Sequence, residues 1–237
     1  MLILDRPEKR NALDRSTIDG LHAGLEEAAL DAGVRVVVLR GAGKDFCAGA
    51  DLAELHASIG RPLADNEADA LRLGGLFLRM RTLEKPVVAV VQGRALAGGF
   101  GLATACDLVL AAASSRFGYP EVDRGFVPAM VLSLLRRQVG ERTAFDLVAT
   151  ARVLDAAEAA RLGLVSRVVP DERLEAEAEA IVARLAGSSP TALALTKRLL
   201  YELDGLGFDE GIRLGARVNA LARSSEDFRA SVEKFLS

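Results

Sequence analysis

The sequence predicts an α/β protein with a helical C-terminal region, and three observations carry that reading. Short β-branched runs, VRVVVL at 34–39, PVVAVV at 86–91 and DLVLAA at 107–112, alternate with helix-period segments through about the first 120 residues, the pattern of parallel strands joined by crossover helices. The runs are almost continuously apolar rather than alternating, as strands buried on both faces are. After Val169 and Pro170 the strands stop, and DERLEAEAEAIVARLAG, PTALALTKRLLYEL, FDEGIRLGARVNALA and SEDFRASVEKFL follow as successive helical patterns. The chain of 237 residues therefore divides into an α/β core, 1–169, and a helical region, 170–237.

Each element has a local reason. Residues 16–30 place Ile18, Leu21, Leu25 and Ala28/Ala29 three and four apart, an amphipathic helix with Ser16 and Thr17 as cap candidates. Further helical patterns cover 65–83 and 98–105, the second opening directly on a glycine-rich turn. Gly187, Gly205 and Gly207 punctuate the C-terminal helices as stops. With so little chain left to cover them, the apolar stripes of those helices either close over the same chain's sheet or pack on another subunit.

Composition narrows the function. Thirty basic residues against thirty-three acidic leave a net charge of -3 without a block of like charge, which disfavours nucleic acid and anionic membranes as partners. There is no Trp and there are only two Tyr, a poor supply for stacking bases. Cys47 and Cys106 with His22 and His56 form neither a zinc spacing nor a disulfide framework. The N-terminus turns charged after four residues and no apolar run approaches the roughly 18 residues of a span, so a cytoplasmic protein is expected.

Serine-nucleophile chemistry lacks its GxSxG elbow. LAGGFGLAT, 96–104, imitates a dinucleotide fingerprint but puts Thr104 at the third small position and Ala111, Ala112 and Ala113 where a ribose-binding acid belongs. What remains is a pair of small-residue turns, DFCAGADL (45–52) and ALAGGFGLA (95–103), each following a buried strand. Small side chains let unpaired amides approach a ligand, so two such turns suit an oxyanion hole; they equally suit close strand–helix packing. Glu121, in SSRFGYPEVDRGFVP, is either a solvated acid paired with Arg124 or a partly buried base, its pKa raised by apolar neighbours such as Phe117, Phe126 and Val127. A hole and one carboxylate suffice to move a proton beside a carbonyl.

Taken in order, RPEKRNALD (6–14), DFCAGADL, VQGRALAGGFGLATACDLVLAA, RFGYPEVDRGFVP and LDAAEAARLGLVSRVVP (154–170) strongly resemble the crotonase, or enoyl-CoA hydratase/isomerase, family, over essentially the whole chain. The resemblance implies a spiral of ββα repeats, a C-terminal α-helical oligomerisation region giving homotrimers or hexamers as dimers of trimers, and acyl-CoA thioester substrates that pass through an enolate. CoA is then part of the substrate, and no separate cofactor is implied. By motif the oxyanion amides fall on Ala48 and Gly98, and Glu121 is the acid/base. Arg6, Lys9 and Lys44 resemble residues that line the CoA nucleotide and phosphates, with Ala50, Asp51 and Gly101 beside the substrate. Asp51 also reads as the start of a capping box with Glu54.

The departures carry information. Two-carboxylate hydratases of the family have a second Glu where this chain has Gly101, and dienoyl isomerases have an Asp where it has Ala129. Losing the first points toward double-bond isomerisation with Glu121 alone; yet EVDRGFVPAMVLSLLRRQVGER resembles a branch with PA in place of PGAGG that includes Gly-bearing hydratases. Hydration of a 2-enoyl-CoA is therefore the leading expectation, with Δ3–Δ2 isomerisation and a non-catalytic CoA- or RNA-binding relative as alternatives. Only Met1 to Leu4 precede Asp5, where relatives have a further strand, and the chain stops at FLS, where many relatives continue with a basic tail, so a weaker hold on CoA is expected. The acyl pocket would be lined from 53–80 and 122–140.

Overall fold

The computed structural model describes residues 1–236. A five-stranded, wholly parallel sheet takes the order β1 (Leu2–Leu4), β2 (Val37–Gly41), β3 (Val87–Val91), β5 (Leu108–Ala112), β8 (Arg167–Val169). A smaller sheet joins β4 (Arg94–Leu96), β6 (Arg116–Gly118) and the antiparallel β7 (Leu154–Asp155). The repeat is a strand of the large sheet, a short segment in the second layer, then a helix. It runs β3–β4–α4 (Gly98–Ala105), then β5–β6 into α5 (Ala129–Gln138). Earlier turns of the spiral use single bridges in the second layer: Leu13 with Ala50, after β1 and before α1 (Arg15–Leu30), and Cys47 with Ala95, after β2 and before α2 (Leu52–Ala57) and α3 (Leu63–Thr82).

The continuous apolar strands are buried on both sides. Val87, Ala89 and Val91 face the main core with Phe77, Phe100 and Leu135, while Val88 and Val90 face a second cluster completed by Leu174, Ala178 and Ile181 of α8 (Leu174–Ala186). The first C-terminal helix thus covers this chain's own sheet. Beyond α6 (Glu141–Ala149) and α7 (Ala156–Arg161), the last helices are α9 (Pro190–Glu202), α10 (Phe208–Arg223) and α11 (Glu226–Leu236). The two expectations for them divide along the chain: α9 docks on α3, whereas α10 and α11 bury no residue and leave Phe208, Ile212, Phe228 and Phe235 exposed.

Helix α1 is capped by Asp14, whose carboxylate accepts from the Thr17 amide at 2.8 Å, two residues before the expected Ser16 and three before Thr17. Lys85 finishes the same helix by donating to Ala28 O and Asp31 O, both at 2.6 Å, a cation on the negative end of the dipole. The strand expected at 34–39 is assigned from Val37, its first residues forming the approach.

Helix α9 is locked by a buried charge. Lys197 Nζ donates to Met80 O (2.8 Å), Lys85 O (2.9 Å) and Asp107 Oδ2 (2.7 Å), which uses all three ammonium protons. Burial pushes the Lys197 pKa down, with Asp107 pulling against it. Asp107 also accepts from the Tyr201 hydroxyl and the Val87 amide, each at 2.7 Å. Removing the ammonium would strand a carboxylate and two carbonyls, so Lys197→Met should cost about 3 kcal/mol or more, read as a lowered denaturation midpoint.

Candidate active site

The two small-residue turns meet. Cys47 N donates to Arg94 O at 3.0 Å and Leu96 N to Cys47 O at 2.9 Å, so the chain after β2 pairs with β4. The approach is too close for side chains. A Cβ on Gly49 (φ +96°) would stand 2.7 Å from Ala97 Cβ and 3.4 Å from Gly98 N, and one on Gly99 would stand 2.7 Å from both Cβ and Sγ of Cys47. Ala97 itself takes φ 52° and ψ -130°, a conformation that costs a non-glycine residue of order 1–3 kcal/mol and turns the chain abruptly into α4.

The free amides differ from expectation at one position. Ala48 N donates to Arg10 O at 3.0 Å and is not available to a ligand. Two residues on, the Leu13–Ala50 bridge uses Gly49 O and Asp51 N, at 2.7 and 2.9 Å from Leu13 N and O, and leaves Ala50 N without an acceptor. Gly98, the first residue of α4, likewise has an amide without an acceptor and is backed by the helix dipole. The candidate oxyanion pair is therefore Ala50 and Gly98, with Ala48 holding the turn to the 6–14 segment.

Glu121 is buried to 8% exposure, and its Oε2 has no hydrogen-bond partner. Desolvation raises its pKa, opposed weakly by its own amide and by Arg124. Arg124 donates instead to Pro120 O at 3.2 Å and forms no ion pair with it. Of the three expected apolar neighbours, Phe117 is fully buried, whereas Phe126 and Val127 are exposed, with Phe126 N donating to Glu121 O at 3.0 Å.

The basic residues separate into two kinds. Arg6 is already partnered: it pairs with Asp51 at 2.9 Å and Asp14 at 3.1 Å and donates to Ala12 O at 2.7 Å. It pins the 6–14 segment, together with Asn11, whose Nδ2 donates to Ala42 O and Asp45 O at 2.9 and 2.7 Å. Lys9 and Lys44 are exposed with no shown partner, on turns brought together where Pro7 abuts Gly43. Asp51 caps α2 through the Ala53 amide at 2.9 Å; that bond and the Arg6 pair lower its pKa. Its expected reciprocal partner Glu54 accepts from Arg15 N instead, at 2.9 Å, so no capping box forms.

Gly101 is buried, and the space beyond it is not vacant. A Cβ there would overlap Cγ1 of Val131 and lie 3.1 Å from Cζ of Phe77. Both residues lie within the 53–80 and 122–140 stretches, and neither carries a sequence signal beyond that of an apolar helical position. A cleft of about 440 Å³ runs along β1 and α1, with Arg6 and Asp14 in its lining.

A family model described as enoyl-CoA hydratase/isomerase matches residues 1–237. The chain belongs to the enoyl-CoA hydratase/isomerase, or crotonase, family. Among its relatives, a Thermus thermophilus protein carrying the provisional name enoyl-CoA hydratase is 44% identical over 99% of this chain and 93% of its own. A similarly named Rhizobium meliloti protein is 37% identical over 100% of this chain and 91% of its own. The crystal structure of an enoyl-CoA hydratase from Mycobacterium smegmatis superposes with a TM-score of 0.94 at 32% identity, covering 99% of this chain and 90% of that one. This likeness extends to the spiral of ββα repeats and its helical C-terminus.

Two outcomes follow from the site geometry. Gly49→Ala strains a positive φ and collides with Ala97, so it should lower stability by about 1–3 kcal/mol in chemical denaturation and lower turnover with it. Because the folded-state pKa of Glu121 is raised, the folded protein holds that proton more tightly, and the stability it contributes is lost as pH rises through that pKa. Glu121→Gln should accordingly melt above the wild type at neutral pH, with the difference closing as the wild-type carboxylate protonates. Equal pH dependence in both proteins would show that the carboxylate is not desolvated.

Proposed function

We propose that this chain adds water across the C2=C3 bond of a 2-enoyl-CoA thioester to give a 3-hydroxyacyl-CoA. The observation that carries the reading is the pairing of two unpaired amides, on Ala50 and Gly98, with a desolvated carboxylate that has a free oxygen. The thioester oxygen would lie between the amides, where charge grows as water attacks C3, and donors already in place there stabilise the enolate without reorganising. Glu121 takes the proton of the attacking water as its oxygen bonds to C3, then delivers a proton to C2; the sum is one hydrogen and one hydroxyl added. Desolvation makes the carboxylate a stronger base than a solvated one. CoA enters as part of the substrate, its phosphates met by Lys9 and Lys44, while Arg6 and Asp51 hold the backbone beneath.

A second reading is Δ3–Δ2 isomerisation, in which Glu121 removes a proton from C2 of a 3-enoyl thioester and returns it to C4. The burial of Gly101 under Val131 favours it, because only one carboxylate then serves the site. We also propose that the exposed apolar residues of α10 and α11 are covered in a homotrimer, or in a hexamer of two trimers, a state that light scattering reads directly. No helix among the described residues is long and apolar enough to cross a membrane. The two free, buried thiols, Cys47 and Cys106, suit a reducing cytoplasm.

The deciding experiment offers the protein a 2-enoyl-CoA and a 3-enoyl-CoA in heavy-oxygen water. Label in a 3-hydroxyacyl product is expected; label-free migration of the double bond would give the site to isomerisation, and neither product alongside CoA binding would make it a non-catalytic relative. Glu121→Gln should cut turnover roughly 10²- to 10⁴-fold with CoA affinity nearly unchanged. Ala50→Pro, checked for fold by circular dichroism, should cost about 10²-fold by deleting one donor.

A further inference from the structure

We propose that Val131 is a reaction-determining residue: its side chain occupies the place from which a second acid–base group would act, and so leaves Glu121 as the site's only proton carrier. Gly101 lies three residues after Gly98 on α4, hence on the same helix face as the candidate oxyanion amide. Helical side chains lean toward the N-terminus, so a side chain at 101 would lean toward that amide. The space it needs is filled by Val131 of α5, 3% exposed, whose Cγ1 overlaps any Cβ at 101 and whose Cβ would stand 3.2 Å from it. Phe77 of α3, 4% exposed, closes the other side at 3.1 Å. Three helices meet at one hydrogen atom of Gly101, and the surface they build there is hydrocarbon. A valine is stiff about χ1, so the methyl cannot simply swing away. From Glu121 the chain passes through one 3₁₀ turn, Val122–Arg124, into α5, so the base and the residue excluding a second base belong to one stretch of chain.

The packing half of this inference stands independently of the reaction; the catalytic half rests on the proposed function. Packing is read by thermal unfolding of Gly101→Ala, Val131→Ala and the double variant. Gly→Ala inside a helix ordinarily stabilises. Here Gly101→Ala should lower Tm by roughly 2–10 °C from overpacking, and that loss should shrink or reverse in the Val131→Ala background. A Gly101→Ala protein as stable as the wild type, or effects that merely add, overturns the interlock.

Chemistry is read by Gly101→Glu with Val131→Ala, or the shorter Gly101→Asp with Val131→Ala should the first not fold. Water gives a proton to the new carboxylate as its oxygen bonds to C3, and Glu121 protonates C2. The ratio of water addition to double-bond migration should then rise by about 10-fold or more, with a new limb in the pH profile that Val131→Ala alone, which adds no titratable group, does not introduce. A folded double variant with the wild-type ratio and profile overturns the catalytic half. A wild type inactive on both thioesters overturns the proposed function and the catalytic half together, and the melting cycle still decides the packing.

Discussion

Two backbone hydrogen bonds, Cys47 N to Arg94 O and Leu96 N to Cys47 O, hold the turn after β2 against β4, and the site depends on them. They fix the second layer of the spiral at a point where only hydrogen atoms fit between the chains, which makes Gly49 and Gly99 obligatory and forces Ala97 into its strained turn. The strain is offset by the surrounding ladder: Ala97 N is held by Gly118 O at 2.8 Å and Ala97 O by Gly101 N at 3.0 Å. From that geometry come an unpaired amide on each side of the joint. An oxyanion hole built this way is made of main chain, so its positions are set by the fold rather than by rotamers.

The large sheet and α4 were legible because their signals are local. VVVL, PVVAVV and LVLAA are long enough in β-branched and aliphatic residues to mark buried strands, and 98–105 proved to be α4 itself. The second sheet was not legible: RAL, RFG and LD are too short to show any period, and their pairing comes from the chain's return after each turn. Ala48 and Ala50 are chemically the same in sequence. Which of them keeps a free amide is decided by Leu13 and Arg10, nearly forty residues away. Arg6 likewise read as a ligand-binding cation because its partners Asp14 and Asp51 become neighbours only on folding. The contact of Val131 with Gly101 has no sequence signature at all, since a valine in an apolar helix announces only burial.

The C-terminal helices show why the choice between covering the same chain and docking elsewhere had no single answer. Helix α8 supplies the apolar face that Val88, Val90 and Leu110 require on the second side of the sheet, and without it those strands would be half exposed. Helix α9 is fixed by chemistry of another sort, the Lys197–Asp107 pair and Arg81 stacked 3.9 Å over the Tyr201 ring. What α8 and α9 complete is the core; what α10 and α11 leave open is surface.

Lys197 and Glu121 are the two buried ionisable groups whose treatment separates structure from reactivity. Both lose hydration, and both have pKa values displaced toward the neutral form. For Lys197 the loss is answered by three acceptors within 2.9 Å, every proton placed, so the ammonium works as a fixed strut. For Glu121 it is not answered: one oxygen has no partner, Arg124 is turned away to Pro120 O, and the wall around Gly101 presents hydrocarbon. A carboxylate held in that condition costs stability whenever it is ionised, and the same unmet need for a hydrogen bond drives it to take a proton from a substrate or a water placed beside it. The fold could have satisfied Glu121 as it satisfied Lys197, and a fully satisfied Glu121 would be a poorer base.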